Sequence, residues 1–313
     1  MSMPVEIKLI LFQSMVIIPF LAGFIMKKQI GEPALVSKKI VMINIVVVDP
    51  LIVFWSIWGL DLSGDLVFLP LAGIILSVAG FILGNIGNSF IKLKSTAKKT
   101  YLISSSLANH GFTMGGFICY LLAGEKGLGH AAIFVSYFLP FVFTVVFPYA
   151  GKKESHGIFT ISYLKKQFIS LKNMPLYAVI AALLFHGAGT ARPEHALFPI
   201  DLLIFVSVAL YYFSLGMTFS AGDLRGAWKE KLSLAAIKFV LLPAGTWLVL
   251  NLTSIAPDIK NIILIQSFMP AAIYSVVTSV LYDLDTPLAS GLFVVNTITF
   301  IAALPVIIFL AFT

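Results

Sequence analysis

Apolar runs of about 18 residues or more recur from one end of the chain to the other, and no other feature limits its fold as strongly. An α-helix needs about 20 mostly apolar residues to cross the hydrocarbon core of a bilayer. The spans read at 7–26, 40–60, 66–91, 100–122, 128–148, 174–190, 198–218, 232–254, 259–282 and 287–311. Composition agrees: 59% of the 313 residues are hydrophobic and 11% are charged, too little charge to cover a soluble domain. The expected fold is an all-α polytopic membrane protein of ten transmembrane helices.

The net charge of +7 invites a nucleic-acid reading, but the positions of the charges oppose it. With the N-terminus outside, the cytoplasmic loops collect sixteen of the 21 basic residues: Lys27, Lys28, Lys38 and Lys39; Lys92, Lys94, Lys98 and Lys99; Lys152, Lys153, Lys165, Lys166 and Lys172; and Arg225, Lys229 and Lys231. The external loops hold Lys126, Arg192 and Lys260, with Lys8 near the outer end of the first span. This bias supports ten spans with both termini outside and a bilayer, not a nucleic acid, as the partner. The basic pair Lys27-Lys28 follows the first apolar run, whereas a signal peptide carries its charge in front, so the run reads as a retained span. A single cysteine, Cys119, excludes an intramolecular disulfide and a cysteine metal cluster; no metal or other cofactor is expected.

Five spans per half have a topological consequence. The first half enters from outside and the second from inside, so two similar halves are inverted relative to each other, a plan used for alternating access. Residues 1–150 read as the first inverted repeat, 151–173 as a cytoplasmic linker, and 174–313 as the second. The linker holds a candidate interfacial helix over 161–171.

The fourth span contains Asn109, His110, Gly111, Thr113, Gly115 and Gly116 near its middle. Glycine weakens a helix, and freed backbone groups have to face protein or a wet cavity rather than lipid. The spacing of Gly111 and Gly115 also fits close helix packing, and both readings stand. The ninth span, fourth of its half, carries Met269, Pro270, Ala271 and Tyr274, and Pro270 removes a backbone donor. Breakers in corresponding spans of two halves point to a binding site at mid-membrane, where half-helix N-termini offer N–H groups to an anion.

Asp49 precedes Pro50 within the second span. A charge at the bilayer centre costs roughly 2.5–3.5 kcal/mol, so Asp49 is expected to face the interior as a proton carrier or ion ligand, or as a protonated or paired structural acid. Lys238, seven residues past Lys231, either snorkels to the cytoplasmic edge, pairs with Asp49, or attracts an anionic substrate. His110 is either a titrating group beside the break or a hydrogen-bonded packing residue.

At these residues the sequence resembles the auxin efflux carrier family, with its PIN-like exporters and bacterial permeases. The resemblance rests on Pro50, on Asn109 with its glycines, on Phe213-Ser214-Leu215-Gly216-Met217, on Lys238-Phe239 followed by Pro243-Ala244, on Gln266 with Met269-Pro270, and on Ala303-Leu304-Pro305. It implies a panel and a transport domain, crossing fourth and ninth helices, and an organic anion, chiefly a carboxylate, held near the crossing. By position, Asn109 matches the family's site asparagine. The resemblance also suggests a homodimer and a bacterial cytoplasmic (inner) membrane. Two departures stand out: the fourth span has Gly115-Gly116-Phe117 where the family has a proline, and Asp49 is an acid where the family is apolar.

The function expected is therefore secondary transport of a small organic anion, coupled to protons or to substrate gradients. A sodium symporter of the related bile-acid type is the alternative, with Thr113, Ser275, Thr278 and Ser279 as hydroxyl ligands; a membrane sensor or scaffold is a further one. No HExxH motif and no serine–histidine arrangement points to an enzyme.

Overall fold

The structure, a computed structural model, describes residues 5–60, 64–111, 114–151, 169, 171–193, 199–219 and 226–312. Thr113 and nearly all of the expected interfacial helix lie outside the described residues. Every regular element among those described is helical. In chain order they are α1 (Val5–Met26), α2 (Pro33–Ile43), α3 (Asp49–Trp58), α4 (Phe68–Ile91), α5 (Ser95–Ser106), α6 (Gly115–Val135), α7 (Phe138–Phe141), α8 (Phe147–Ala150), α9 (Met174–Gly187), α10 (Ile200–Thr218), α11 (Trp228–Ala236), α12 (Leu242–Asn251), α13 (Pro257–Ser267), α14 (Ile273–Leu281) and α15 (Thr286–Phe312). Among the described residues, five continuous stretches are long and apolar enough to cross a bilayer: Leu35–Trp58, Gly64–Ile91, Gly115–Ala150, Trp228–Asn251 and Thr286–Pro305.

Three of these stretches contain a single π-helical turn, at Asn44–Val48, Val142–Val146 and Ile237–Leu241. Each turn ends two residues before a proline: Pro50, Pro148 and Pro243. The cause is local. Proline has no N–H to give and its ring presses on the carbonyl four residues back, so the preceding turn widens. The N–H groups of Asp49, Phe147 and Leu242 accordingly reach back five residues, to Asn44, Val142 and Ile237.

Gly124 breaks α6, with φ 63° and ψ −153°. That backbone region is essentially restricted to glycine. It falls where the fourth and fifth spans were expected to join, so the two spans run on from each other through one bent residue.

The chain divides into two compact units. The first comprises Met1–Gly64, Gly111–Ser136 and Ile169–Phe219, and the second Asp65–His110, Tyr137–Phe168 and Ser220–Thr313. Each unit draws on both halves of the sequence. In the first, α1 packs along α10 and α3 along α9, with α6 against α3. The α1–α10 contact is close because glycine occupies it from both sides: a Cβ at Gly23 would stand 2.0 Å from the Phe213 carbonyl oxygen, and one at Gly216 would stand 2.0 Å from that of Phe20. At one end of this unit Arg192 forms an ion pair with Glu125, donates to the Trp55 carbonyl at 3.2 Å and lies over the Trp55 ring. In the second unit α4 packs on α5 and α13, and α15 packs on α5, α11 and α14.

Candidate functional site

Within the second unit, two chain breaks lie against each other. Helix α5 stops at Ser106, and Leu107 leaves it in an extended conformation (φ −82°, ψ 134°). Helix α13 stops at Ser267 and α14 begins at Ile273, entered through an extended Ala272 (φ −75°, ψ 146°). Ala108 and Ala271 form an antiparallel bridge. The N–H of Asn109 donates to the Pro270 carbonyl at 2.8 Å, and that of Ala272 to the Leu107 carbonyl at 3.2 Å. Backbone freed from two helices is thus satisfied by the other break, as the absence of water from a bilayer core requires. The His110 N–H turns back to the Ala108 carbonyl at 2.9 Å.

Side chains from four neighbouring segments brace the pair. Asn296 of α15 accepts from the Ala271 N–H at 2.8 Å. Gln266 donates to the His110 carbonyl at 3.4 Å. The His110 Nδ1 and the Tyr137 hydroxyl are 2.9 Å apart, and that hydroxyl is 2.9 Å from Ser77 Oγ. Lys238, in the π turn Ile237–Leu241, donates to the Leu107 carbonyl at 3.2 Å. The Asn296 Nδ2 is buried with no hydrogen-bond partner among the described residues. Helix α14 begins at the break, so its first N–H groups have no carbonyl of their own helix to bond.

The structure therefore brings together Asn109, His110, Met269, Pro270, Ala271 and Tyr274. Met269, Pro270 and Ala271 are buried, Asn109 is 9% exposed, and the Tyr274 ring meets Phe138 edge-on. Gly111, Gly115 and Gly116 belong to the first unit, where the Gly111 carbonyl accepts from the N–H groups of Met114 and Gly116 and so closes the turn that starts α6. Among the described residues nothing lies within 4 Å of where a Cβ at Gly111 would stand.

One reading of the spans' charges is corrected. Lys238 does not snorkel: it is 1% exposed, because the carbonyl that ends α5 takes its ammonium inside the unit. Asp49 accepts from Ser207 Oγ at 2.9 Å and from the Tyr211 hydroxyl at 2.5 Å. Asn44, five residues before Asp49 and one π turn away, donates to the Ser207 carbonyl at 2.9 Å. Tyr137, Ser77 and Asn296 had no signal in the sequence beyond being polar residues within apolar runs.

A family described as "Membrane transport protein" matches residues 16–308. The chain belongs to that family. It is the auxin efflux carrier family whose motifs the sequence carries, and the match covers most of the chain. An uncharacterized transporter of Methanocaldococcus jannaschii is 28% identical over 216 residues, which is 68% of each protein. With several apolar helices of spanning length, the auxin efflux carrier relative described here is an integral membrane protein, and its family is one of membrane transporters.

Proposed function

We propose that this protein is a secondary transporter that carries a small organic anion, preferentially a carboxylate, by alternating access. The anion is held at the paired break, with the Asn109 side chain and the opening N–H groups of α14 as its contacts. One observation carries the reading: two interrupted helices of the same unit bond to each other through Leu107–Asn109 and Pro270–Ala272. A break in the middle of a span is stable only where protein or a water-filled cavity meets it, and such breaks mark the sites of many transporters. The buried Asn296 Nδ2, without a partner among the described residues, adds a donor beside it, which suits an anion rather than a cation.

The wider arrangement we infer is ten spans in two inverted repeats, 1–150 and 174–313, joined by the linker 151–173, with both termini outside a bacterial cytoplasmic membrane and two copies associating as a homodimer. Asp49 is the group we assign to proton coupling.

The test is a thermal-unfolding screen of purified protein against carboxylates and their isosteric amides. A ligand that binds only the folded state raises the midpoint. Stabilisation by a carboxylate and not by its amide is expected. Equal stabilisation by both, or by neither, would remove the anion from the proposal.

A further inference from the structure

Helices α4 and α11 of the second unit meet near one end of each. A Cβ at Gly87 of α4 would stand 2.9 Å from the Ser233 Oγ of α11 and 2.9 Å from the Tyr101 hydroxyl of α5, and those two oxygens are 2.7 Å apart. Helix α4 ends four residues past Gly87 yet also packs on α12, so it runs antiparallel to the α11–α12 stretch. Lys92 comes five residues after Gly87, and Trp228 five before Ser233. At 1.5 Å per residue both lie about 7 Å beyond the contact, at one depth.

Two apolar stripes flank this seam. Ile86 and Phe90 are one turn apart on α4, and Trp228 and Leu232 one turn apart on α11. All four are exposed, Phe90 by 81% and Leu232 by 68%. On antiparallel helices that touch at Gly87 and Ser233, these positions project to the same side. Lys229 projects there too, and Lys92 stands at the foot of the seam; both are exposed. Lys92 ends α4 with φ 65°, a conformation ordinarily left to glycine. Asn88 fastens that turn, its carbonyl accepting from the Lys92 N–H at 2.7 Å and its Oδ1 from the Leu93 N–H at 3.0 Å. A glycine would take the same conformation without steric cost, so the turn alone does not account for a lysine. The Lys231 ammonium braces the Trp228 ring, 5.0 Å from its centroid, and donates to the Gly226 carbonyl at 2.8 Å. Neither the Lys92 nor the Lys229 ammonium has a hydrogen bond or ion pair with another described residue.

We propose that this seam binds an anionic phospholipid, with the phosphate at Lys92 and Lys229 and the acyl chains along the two stripes. Lipid tails cover any apolar face of a membrane helix; the two ammonium groups at the end of this one select the headgroup. A zwitterionic headgroup brings its own cation, which the lysines repel, whereas an anionic one brings net negative charge. Basic pockets between spans hold such headgroups, and aromatic side chains such as Phe90 and Trp228 collect at that depth. A free phosphate would meet the charges and leave the stripes unoccupied, so the phosphate is that of a lipid. None of these residues belongs to the paired break, and the proposal stands apart from the cargo.

The experiment uses the full chain purified in detergent. Its thermal midpoint is followed against added phosphatidylglycerol, phosphatidylcholine and inorganic phosphate. A saturable rise with phosphatidylglycerol alone is expected. Equal rises with both lipids, as bulk lipid would give, no rise with either, as a second copy of the chain seated on the seam would give, or a rise with phosphate equal to that with phosphatidylglycerol overturns the proposal. The double variant Lys92→Gln, Lys229→Gln is expected to keep the wild-type midpoint without lipid and to need tenfold or more phosphatidylglycerol for the same rise. The double variant Lys38→Gln, Lys39→Gln loses the same charge from exposed positions of the first unit and is expected to respond as the wild type does. An unchanged response in the seam variant, or an equal loss in both, overturns the proposal. Should the seam double variant not fold, its two single variants, each expected to need about fivefold more lipid, decide the question.

Discussion

The Tyr211 hydroxyl donates to the Asp49 carboxylate at 2.5 Å, while Ser207 serves the other carboxylate oxygen at 2.9 Å. An acid held by two hydroxyls, with no cation paired to it among the described residues, can take up a proton without dismantling an ion pair. Asp49→Asn keeps the shape and removes the titration. The variant is expected to fold normally and to transport with a flattened pH profile, measured as uptake into proteoliposomes across a pH series. An unchanged profile would give Asp49 a purely structural role.

Asn109 stands where the two breaks pair, and its backbone N–H already serves Pro270. Replacing the side chain leaves that bond intact. Asn109→Ala is expected to retain the wild-type midpoint while anion transport falls by tenfold or more, about 1.4 kcal/mol of lost interaction. Normal transport by a folded variant would place the anion elsewhere.

Glycines of α1 and α10 make opposite predictions from the glycine at the break. At Gly216 a methyl group would collide with the Phe20 carbonyl, and at Gly23 with that of Phe213, both backbone atoms that cannot swing aside. Gly216→Ala is expected to destabilise by about 1–3 kcal/mol, the usual scale of overpacking. Gly111→Ala, whose added methyl meets none of the described residues within 4 Å, is expected to leave the midpoint near wild type. Thermal unfolding of the two variants side by side checks the contrast.

Tyr137→Phe deletes the hydroxyl that touches both His110 and Ser77 in the second unit. The ring packing is kept, so the loss isolates the polar contacts. Removing a buried hydrogen-bonding group costs about 1–3 kcal/mol. A midpoint equal to wild type would show that His110 and Ser77 do not depend on this hydroxyl.

Much of the helical pattern is legible in the sequence because bilayer thickness dictates it. The span expected at 66–91 appears as the stretch Gly64–Ile91, that at 174–190 as α9, and the one at 198–218 as α10. The two interruptions were legible too, because Asn109 with its glycines and Pro270 fall in corresponding spans of the two halves. The π turns were not. Pro50, Pro148 and Pro243 each follow one, yet Pro19 and Pro305 lie inside continuous helices, so proline alone does not announce the distortion. The partners of Asp49 were out of reach for a different reason. Ser207 is 158 residues away, and no local pattern ties one apolar span to another at that distance. For Lys238 the missing information was depth: distance along the helix from Lys231 allowed an exit to water, and only the end of α5 explains why the ammonium stays inside.

The two compact units are stitched from alternating stretches of chain, and this governs how the molecule is made. Helices α1 and α3 leave the ribosome before their long packing partners, α10 and α9. Those contacts therefore cannot form until the second half of the protein is synthesised. The glycine-lined face of α1 stays without its mate for that whole interval, which makes chain elongation past Phe219 the moment at which the first unit can close.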